Sequence, residues 1–274
     1  MVANGPRITG IGHAVSNCHP REEERFVRIA FARYNLERNH VGVSMGLSDD
    51  LKEEVATVFR GAWSVRAGQG VPDTPDLKLT NDGVTLDATV LYADIDGSTN
   101  MVDSQTPEFA AEVYKTYLIC AARLIRSEGG TITAYDGDRV MAVFIGDYKN
   151  TSAARCGLKI NAAVRQIINP AIQAQYGSDF ELKQVVGIDT SKLLVARTGI
   201  RGANDLVWVG PAANHAAKLS GLSEHPYCTF ISAAVYNKMN DAAKISSDSR
   251  NMWEQRNWKG KTVYRSSWYW DLPN

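Results

Sequence analysis

The chain carries no excess of charge of either sign. Thirty Lys and Arg residues balance thirty Asp and Glu residues, for a formal net charge of +0 at pH 7. Domains that bind nucleic acid or anionic membranes show a basic excess, so neither partner is expected. There is no CxxC pair. The four cysteines, Cys18, Cys120, Cys156 and Cys228, are scattered. Cys120 and Cys156 fall in apolar helical stretches, which reads as buried free thiols in a reducing compartment, not a disulfide framework. No run approaches the roughly 20 apolar residues of a membrane span. The N-terminus, with Arg7 and interrupted apolar content, has no signal-peptide pattern. A cytoplasmic protein is the expectation. What remains is 274 residues, 44% of them hydrophobic, enough for one large domain and a smaller appendage.

The appendage is read as an N-terminal helical segment over residues 1–75, ahead of a main domain over 76–274. Arg21 to Tyr34 has a helix-like apolar period, and Ser48 is placed to cap a second helix from Asp49 to Trp63. Gly68 to Pro75 is a Gly- and Pro-containing loop that marks the boundary. Beyond it, Val84 to Asp94 is an apolar strand of a sheet centre. Thr106-Pro107 opens a helix through Arg126, with Thr106 as cap and Pro107 in the first turn. Gly129-Gly130 ends it. Thr131 to Tyr135 and Arg139 to Phe144 form a hairpin around Asp136-Gly137. A helix over about Ser152 to Ile168 is interrupted by Pro170. Leu182 to Ile188 and Lys192 to Arg197 read as another hairpin, Leu206 to Val209 as a short strand, and Pro211 to Leu219 as a helix. Strands follow at Cys228 to Ile231 and within Asn257 to Trp270. The predicted class is α+β, a mixed or antiparallel sheet with flanking helices.

Two aspartates stand where apolar strands meet glycine-containing turns: Asp94 in Leu91-Tyr92-Ala93-Asp94-Ile95-Asp96-Gly97-Ser98-Thr99, and Asp138 in Asp136-Gly137-Asp138-Arg139-Val140. One helix separates them and folds the second strand back beside the first. Carboxylates at adjacent strand ends form a hard, all-oxygen site suited to Mg²⁺ or Mn²⁺ carrying a polyphosphate. If they converge, the chemistry is metal-dependent phosphoryl transfer. Asp96 and Asp136 read as turn residues beside them.

From Thr85 to Trp270 the chain resembles the catalytic domain of class III nucleotidyl cyclases. Four segments carry the resemblance in order: Ala93-Asp94-Ile95-Asp96-Gly97-Ser98-Thr99; Gly129-Gly130 leading into Gly137-Asp138; Val186-Gly187-Ile188-Asp189-Thr190; and Val209-Gly210-Pro211-Ala212-Ala213-Asn214-His215-Ala216-Ala217-Lys218-Leu219. Lys259-Gly260-Lys261 matches the closing strand. The resemblance implies an antiparallel homodimer with two sites at its interface. One protomer supplies the metal aspartates, and its partner supplies the groups that contact the base and the transition state.

The resemblance also implies roles for individual residues. Asp94, Asp138 and the Ile95 carbonyl hold two divalent ions, Mn²⁺ or Mg²⁺. Backbone N–H groups at Gly97, Ser98 and Thr99 cradle the triphosphate. Asn214 orients the ribose. Lys218 stands where the family has a transition-state arginine, a departure that keeps the charge but loses the planar fork. Lys259 or Lys261 contacts the terminal phosphate, and Arg197 is a further candidate for phosphate or base.

Two departures bear on substrate. Adenylate and guanylate cyclases read the purine with polar residues four before the second metal aspartate and three before the glycine of the fourth segment. Here those positions hold Ala134 and Val207. Neither can pair with a purine edge, and unpaired polar groups discriminate strongly. Tyr135 follows Ala134, and a slip or bulge would bring its ring into the pocket to favour a pyrimidine. The alternative is that Tyr135 and Trp208 are core aromatics. In these respects the chain is similar to the bacterial pyrimidine cyclases of the Pycsar anti-phage systems. That resemblance implies conversion of UTP to cyclic UMP, with a separate effector responding to the product. CTP as substrate, an adenylate cyclase with an atypical base pocket, and a non-catalytic nucleotide-binding signalling domain are the alternatives.

Overall fold

The structure, a computed structural model, describes residues 46–272; Cys18 and the helix expected over residues 21–34 lie outside them. Two compact units divide at Arg60 and Gly61. The described part of the first is a helix, Leu47–Arg60, with Asp49 and Asp50 in its first turn and Arg60 in its last, complementing the helix dipole. It stops three residues short of Trp63. The second unit begins at Gly61, earlier than the boundary expected at residue 76, because the short strand β1 (Ser64–Ala67) pairs in parallel with β2 (Asp82–Asp96).

Among the described residues, nine strands form one mixed sheet. Its main path runs β3 (Thr131–Asp136), β4 (Arg139–Phe144), β2, β5 (Lys183–Ile200), β7 (Thr229–Ser232), β9 (Lys261–Ser266), β8 (Glu254–Trp258), with β1 on β2 and β6 (Ala203–Val209) on β5. β2 and β5 are antiparallel partners from Gly83–Ala196 to Asp96–Lys183. The expected hairpin within β5 is absent. Asp189, Thr190 and Ser191, which read as turn residues, pair with Val90, Thr89 and Ala88 instead. Their polarity is satisfied internally: the Thr190 hydroxyl donates to the Ala88 carbonyl, and the Thr89 hydroxyl lies 3.1 Å from that of Thr190 and 2.9 Å from the Asn150 amide oxygen.

Alternation along the strands separates two cores. On one face Leu91, Ala93, Ile95, Val140, Val186 and Ile188 pack against the helices Pro107–Ser127 and Lys149–Ala163. On the other, Val90, Met141, Val143, Leu193 and Val195 pack against Ala212, Ala213 and Ala216 of the helix Pro211–Leu219. Each fully buried Leu, Ile or Val contributes about 1.5–3 kcal/mol before the entropy of ordering is counted. Thr106 caps the first long helix by accepting from the Phe109 N–H, as its sequence requires. The helix from Lys149 is not ended by Pro170. It passes through a π-helical turn at Val164–Ile168 and restarts as Asn169–Tyr176, with the proline in the new first turn where its missing N–H costs least.

Candidate active site

Asp94 lies near the end of β2 on the face shared by Val90 and Tyr92, and Asp138 in the two-residue turn between β3 and β4, just after Gly137 at φ 61°. The two carboxylates feel each other. Burial and then the charge of Asp138 push the Asp94 carboxyl up to about 6, partly opposed by Arg139. The Arg139 guanidinium lies 4.0 Å from Asp94 Oδ2 and donates to Asp136 at 2.9 Å. Asp138 Oδ2 is buried with no hydrogen-bond partner among the described residues. An orphaned carboxylate oxygen beside a second carboxylate is what a hard divalent cation satisfies. Among the described residues no three or more His, Cys, Asp or Glu side chains form a metal-holding group. The protein therefore offers two carboxylates and backbone carbonyls, which fits an ion that keeps waters or takes substrate oxygens for its other ligands.

The turn after β2 begins the helix Ser98–Ser104, with Gly97 left-handed at φ 78° as its cap. Ser98 and Thr99 thus stand in a first turn whose N–H groups have no helical acceptors. Asp96, at the end of β2, is taken by a loop: the Ser223 hydroxyl donates to its Oδ2 at 2.7 Å, and His225 Nε2 lies at the same distance.

A second cluster forms elsewhere. Asn214 and Lys218, one helical turn apart on Pro211–Leu219, line a cavity of about 330 Å³ together with Lys259 and Lys261 from the β8–β9 hairpin. Lys259 is held at φ 50° with its ammonium over the Trp258 ring, 5.1 Å from the centroid. Asp94 and Asp138 do not line this cavity. One chain therefore carries an acidic cluster and a basic cluster as separate features.

Two expected residues are placed otherwise. Arg197 is engaged within the fold, donating from Nε to Asn204 and from Nη1 to the Leu77 carbonyl. Tyr135 faces away from the acidic pair. β3 bulges between Ile132 and Ala134, so Thr133 is extra and Ala134, not Tyr135, pairs with Met141. Tyr135 pairs with Val140 on the opposite face and is 55% exposed. The bulge thus carries this ring out of the face that an unbulged strand would give it.

An aromatic side chain on the face of Asp94 is Tyr92. It pairs with Met141, which also pairs with Ala134, and its hydroxyl donates to the Met141 sulfur at 3.0 Å. Its place two residues before Asp94 on one strand was the available signal. His215 and Asp189, which also line the basic cavity, carried no comparable signal, since they become neighbours only when the helix lies down on β5.

The mixed sheet thus carries an acidic pair near the ends of β2 and β4 and, separately, an Asn- and Lys-lined cavity. Solved cyclases share the fold. The guanylyl cyclase Cya2 aligns with a TM-score of 0.58 at 21% identity, covering 70% of this chain and 97% of that one. The adenylyl cyclase CyaB from P. aeruginosa gives 0.57 at 23%, covering 67% and 95%. No family profile matches the chain. Among curated proteins, the uridylate cyclase of Burkholderia cepacia is 55% identical over 232 residues, covering 83% of this chain and 100% of the relative. That of Xanthomonas perforans is 54% identical over 233 residues, covering 83% and 100%. That of Rhodovulum sp. (strain MB263) is 40% identical over 238 residues, covering 84% and 99%. The chain belongs to the family of these three proteins, within the class III nucleotidyl cyclases.

Proposed function

We propose that this chain converts UTP to 3′,5′-cyclic UMP and diphosphate, and that the product is a second messenger in anti-phage defence, read by a separate effector. The observation that carries the chemistry is the coupled pair Asp94 and Asp138, with one orphaned carboxylate oxygen. The choice of uridine is supported by the names of the three relatives. It is supported also by Ala134 and Val207, which leave the polar edge of a purine unpaired.

Asp94, Asp138 and the Ile95 carbonyl would hold Mg²⁺ or Mn²⁺, two ions per site. When bound, such ions lower the pKa of the ribose 3′-hydroxyl and offset the charge of the phosphates. Gly97, Ser98 and Thr99 offer backbone N–H groups to the triphosphate. Asn214 orients the ribose, so that the 3′-oxygen faces the α-phosphorus in line with the departing diphosphate. Lys218 stabilises the charge that grows on the phosphorane, as a point charge in place of a bidentate guanidinium. Lys259 and Lys261 hold the departing diphosphate. Tyr92, on the face of Asp94 and Ala134, narrows the base pocket toward a single pyrimidine ring. Because the acidic and basic clusters are separate in one chain, two protomers complete each other's sites in a two-fold dimer.

The test is turnover of each of the four ribonucleoside triphosphates with Mn²⁺, with cyclic product and diphosphate both measured. Cyclic UMP as the main product supports the reading. Cyclic CMP as the main product transfers it to CTP. Cyclic AMP from ATP alone, or nucleotide binding with no diphosphate release, overturns it.

A further inference from the structure

The basic cavity contains an ion-pair partner that the proposed mechanism does not use. His215, adjacent to Asn214 on the helix Pro211–Leu219, faces β5, and its Nδ1 lies 3.0 Å from Asp189 Oδ2. Asp189 is 7% exposed. Burial works to raise its carboxyl, but hydrogen bonds from His215, Ser232 and the Thr190 N–H outweigh that and hold it below its ordinary value. It is an anion that fixes the ring: Nδ1 carries the proton that faces it, and Nε2 is left for something else. The indole of Trp258 stacks on the imidazole with centroids 5.8 Å apart and planes at 29°. Nε2 is buried and has no hydrogen-bond partner among the described residues.

We propose that His215 is a phosphate-contacting residue, held ready by Asp189 and Trp258, whose Nε2 donates to a non-bridging oxygen of the diphosphate end of the nucleotide. This rests on the cyclase reading of the site. The cavity wall already holds Lys218, Lys259 and Lys261, so an anion is the ligand it suits. A neutral imidazole with its proton on Nδ1 presents a lone pair at Nε2, which repels phosphate; an imidazolium presents a donor there. Anion binding therefore draws a proton onto the ring, and Asp189 stabilises the resulting charge. The titratable groups facing His215 are Asp189 from β5, Lys218 from its own helix, and Lys259 and Lys261 from the hairpin.

The test uses inorganic diphosphate with Mg²⁺ and the full-length protein, with no turnover required. In protein labelled with ¹⁵N-histidine, the His215 ring signals, assigned through its backbone, are followed against pH with and without diphosphate. Bound diphosphate is expected to raise the His215 titration midpoint by about one pH unit, tenfold in the proton equilibrium. In calorimetry, His215→Gln and Asp189→Asn are expected to weaken diphosphate binding about tenfold and about threefold, and His215→Gln to flatten its pH dependence. A midpoint that diphosphate does not move overturns the proposal, as does His215→Gln binding diphosphate like wild type at every pH. Since the probe has no base and no reaction follows, failure of the UTP assay leaves this experiment readable, and its failure leaves the assay readable.

Discussion

Gly187 on β5 and Ala216 on the helix Pro211–Leu219 touch backbone to backbone. A Cβ at position 187 would lie 2.2 Å from the Ala216 carbonyl oxygen and 2.4 Å from the Ser220 nitrogen. Only glycine lets the helix lie this low on the sheet, and the helix carries Asn214 one turn before Lys218. Gly187→Ala must lift it. The expected cost is about 2–3 kcal/mol in urea unfolding, as for an overpacked core. A displacement of about 1 Å at Asn214 and Lys218 is also expected to lower kcat by about a hundredfold. Wild-type kcat in a folded Gly187→Ala protein would show that the helix position does not matter.

Asp94 shows function opposing stability. Its carboxyl rises from 3.8 to about 6 in the folded, metal-free chain. Between those values the folded state keeps a proton that the unfolded state has released, so stability falls as pH rises through this window. Asp94→Asn removes that cost. We expect the metal-free variant to gain about 1–2 kcal/mol at pH 7, less than the full shift implies because the side chain is 23% exposed. Turnover should fall at least about a hundredfold. Thermal melts with EDTA, beside a diphosphate-release assay, measure both.

Metal affinity should depend on pH for the same reason. A ligating carboxylate must be ionised, so Mn²⁺ binding to wild type should strengthen as pH rises through about 6. Asp138→Asn removes the neighbouring charge that helps raise Asp94, and its residual metal binding should titrate at lower pH. Calorimetric Mn²⁺ titrations from pH 5 to 8 test the order, and an unchanged midpoint in Asp138→Asn would contradict it.

Glu128 illustrates the opposite balance, a charge kept for the fold. Its side chain is 2% exposed at the end of the helix Pro107–Ser127 and accepts from Arg155 at 2.6 Å and from Lys159 at 2.6 Å. Glu128→Ala should cost about 2–4 kcal/mol, since it leaves two cations without their partner, although both can still reach water. The KM for nucleotide should not change. Chemical denaturation and steady-state kinetics separate the two.

The sequence exposed the parts of this molecule in which local chemistry and tertiary structure agree. Thr106-Pro107 and Pro211 announce helix starts, and the apolar runs ending in Asp94 and following Asp138 announce paired strands with carboxylates at their ends. Structure was hidden where a long-range partner decided it. Asp189 to Ser191 read as a turn, yet β2 supplies Ala88 to Val90 to pair with them. A single extra residue, Thr133, exchanged the faces of Ala134 and Tyr135, and periodicity does not reveal a bulge. His215 reads as an ordinary helix residue until β5 brings Asp189 beneath it.

The separation of the acidic and basic clusters is the centre of the account, and mixed dimers test it most directly. Chains carrying Asp94→Ala and chains carrying Asn214→Ala are each expected to be inactive alone. When the two are unfolded together and refolded, half of the dimers should be mixed, each with one intact site of two, restoring about a quarter of wild-type turnover. A mixture no more active than either variant alone would contradict a site shared between protomers.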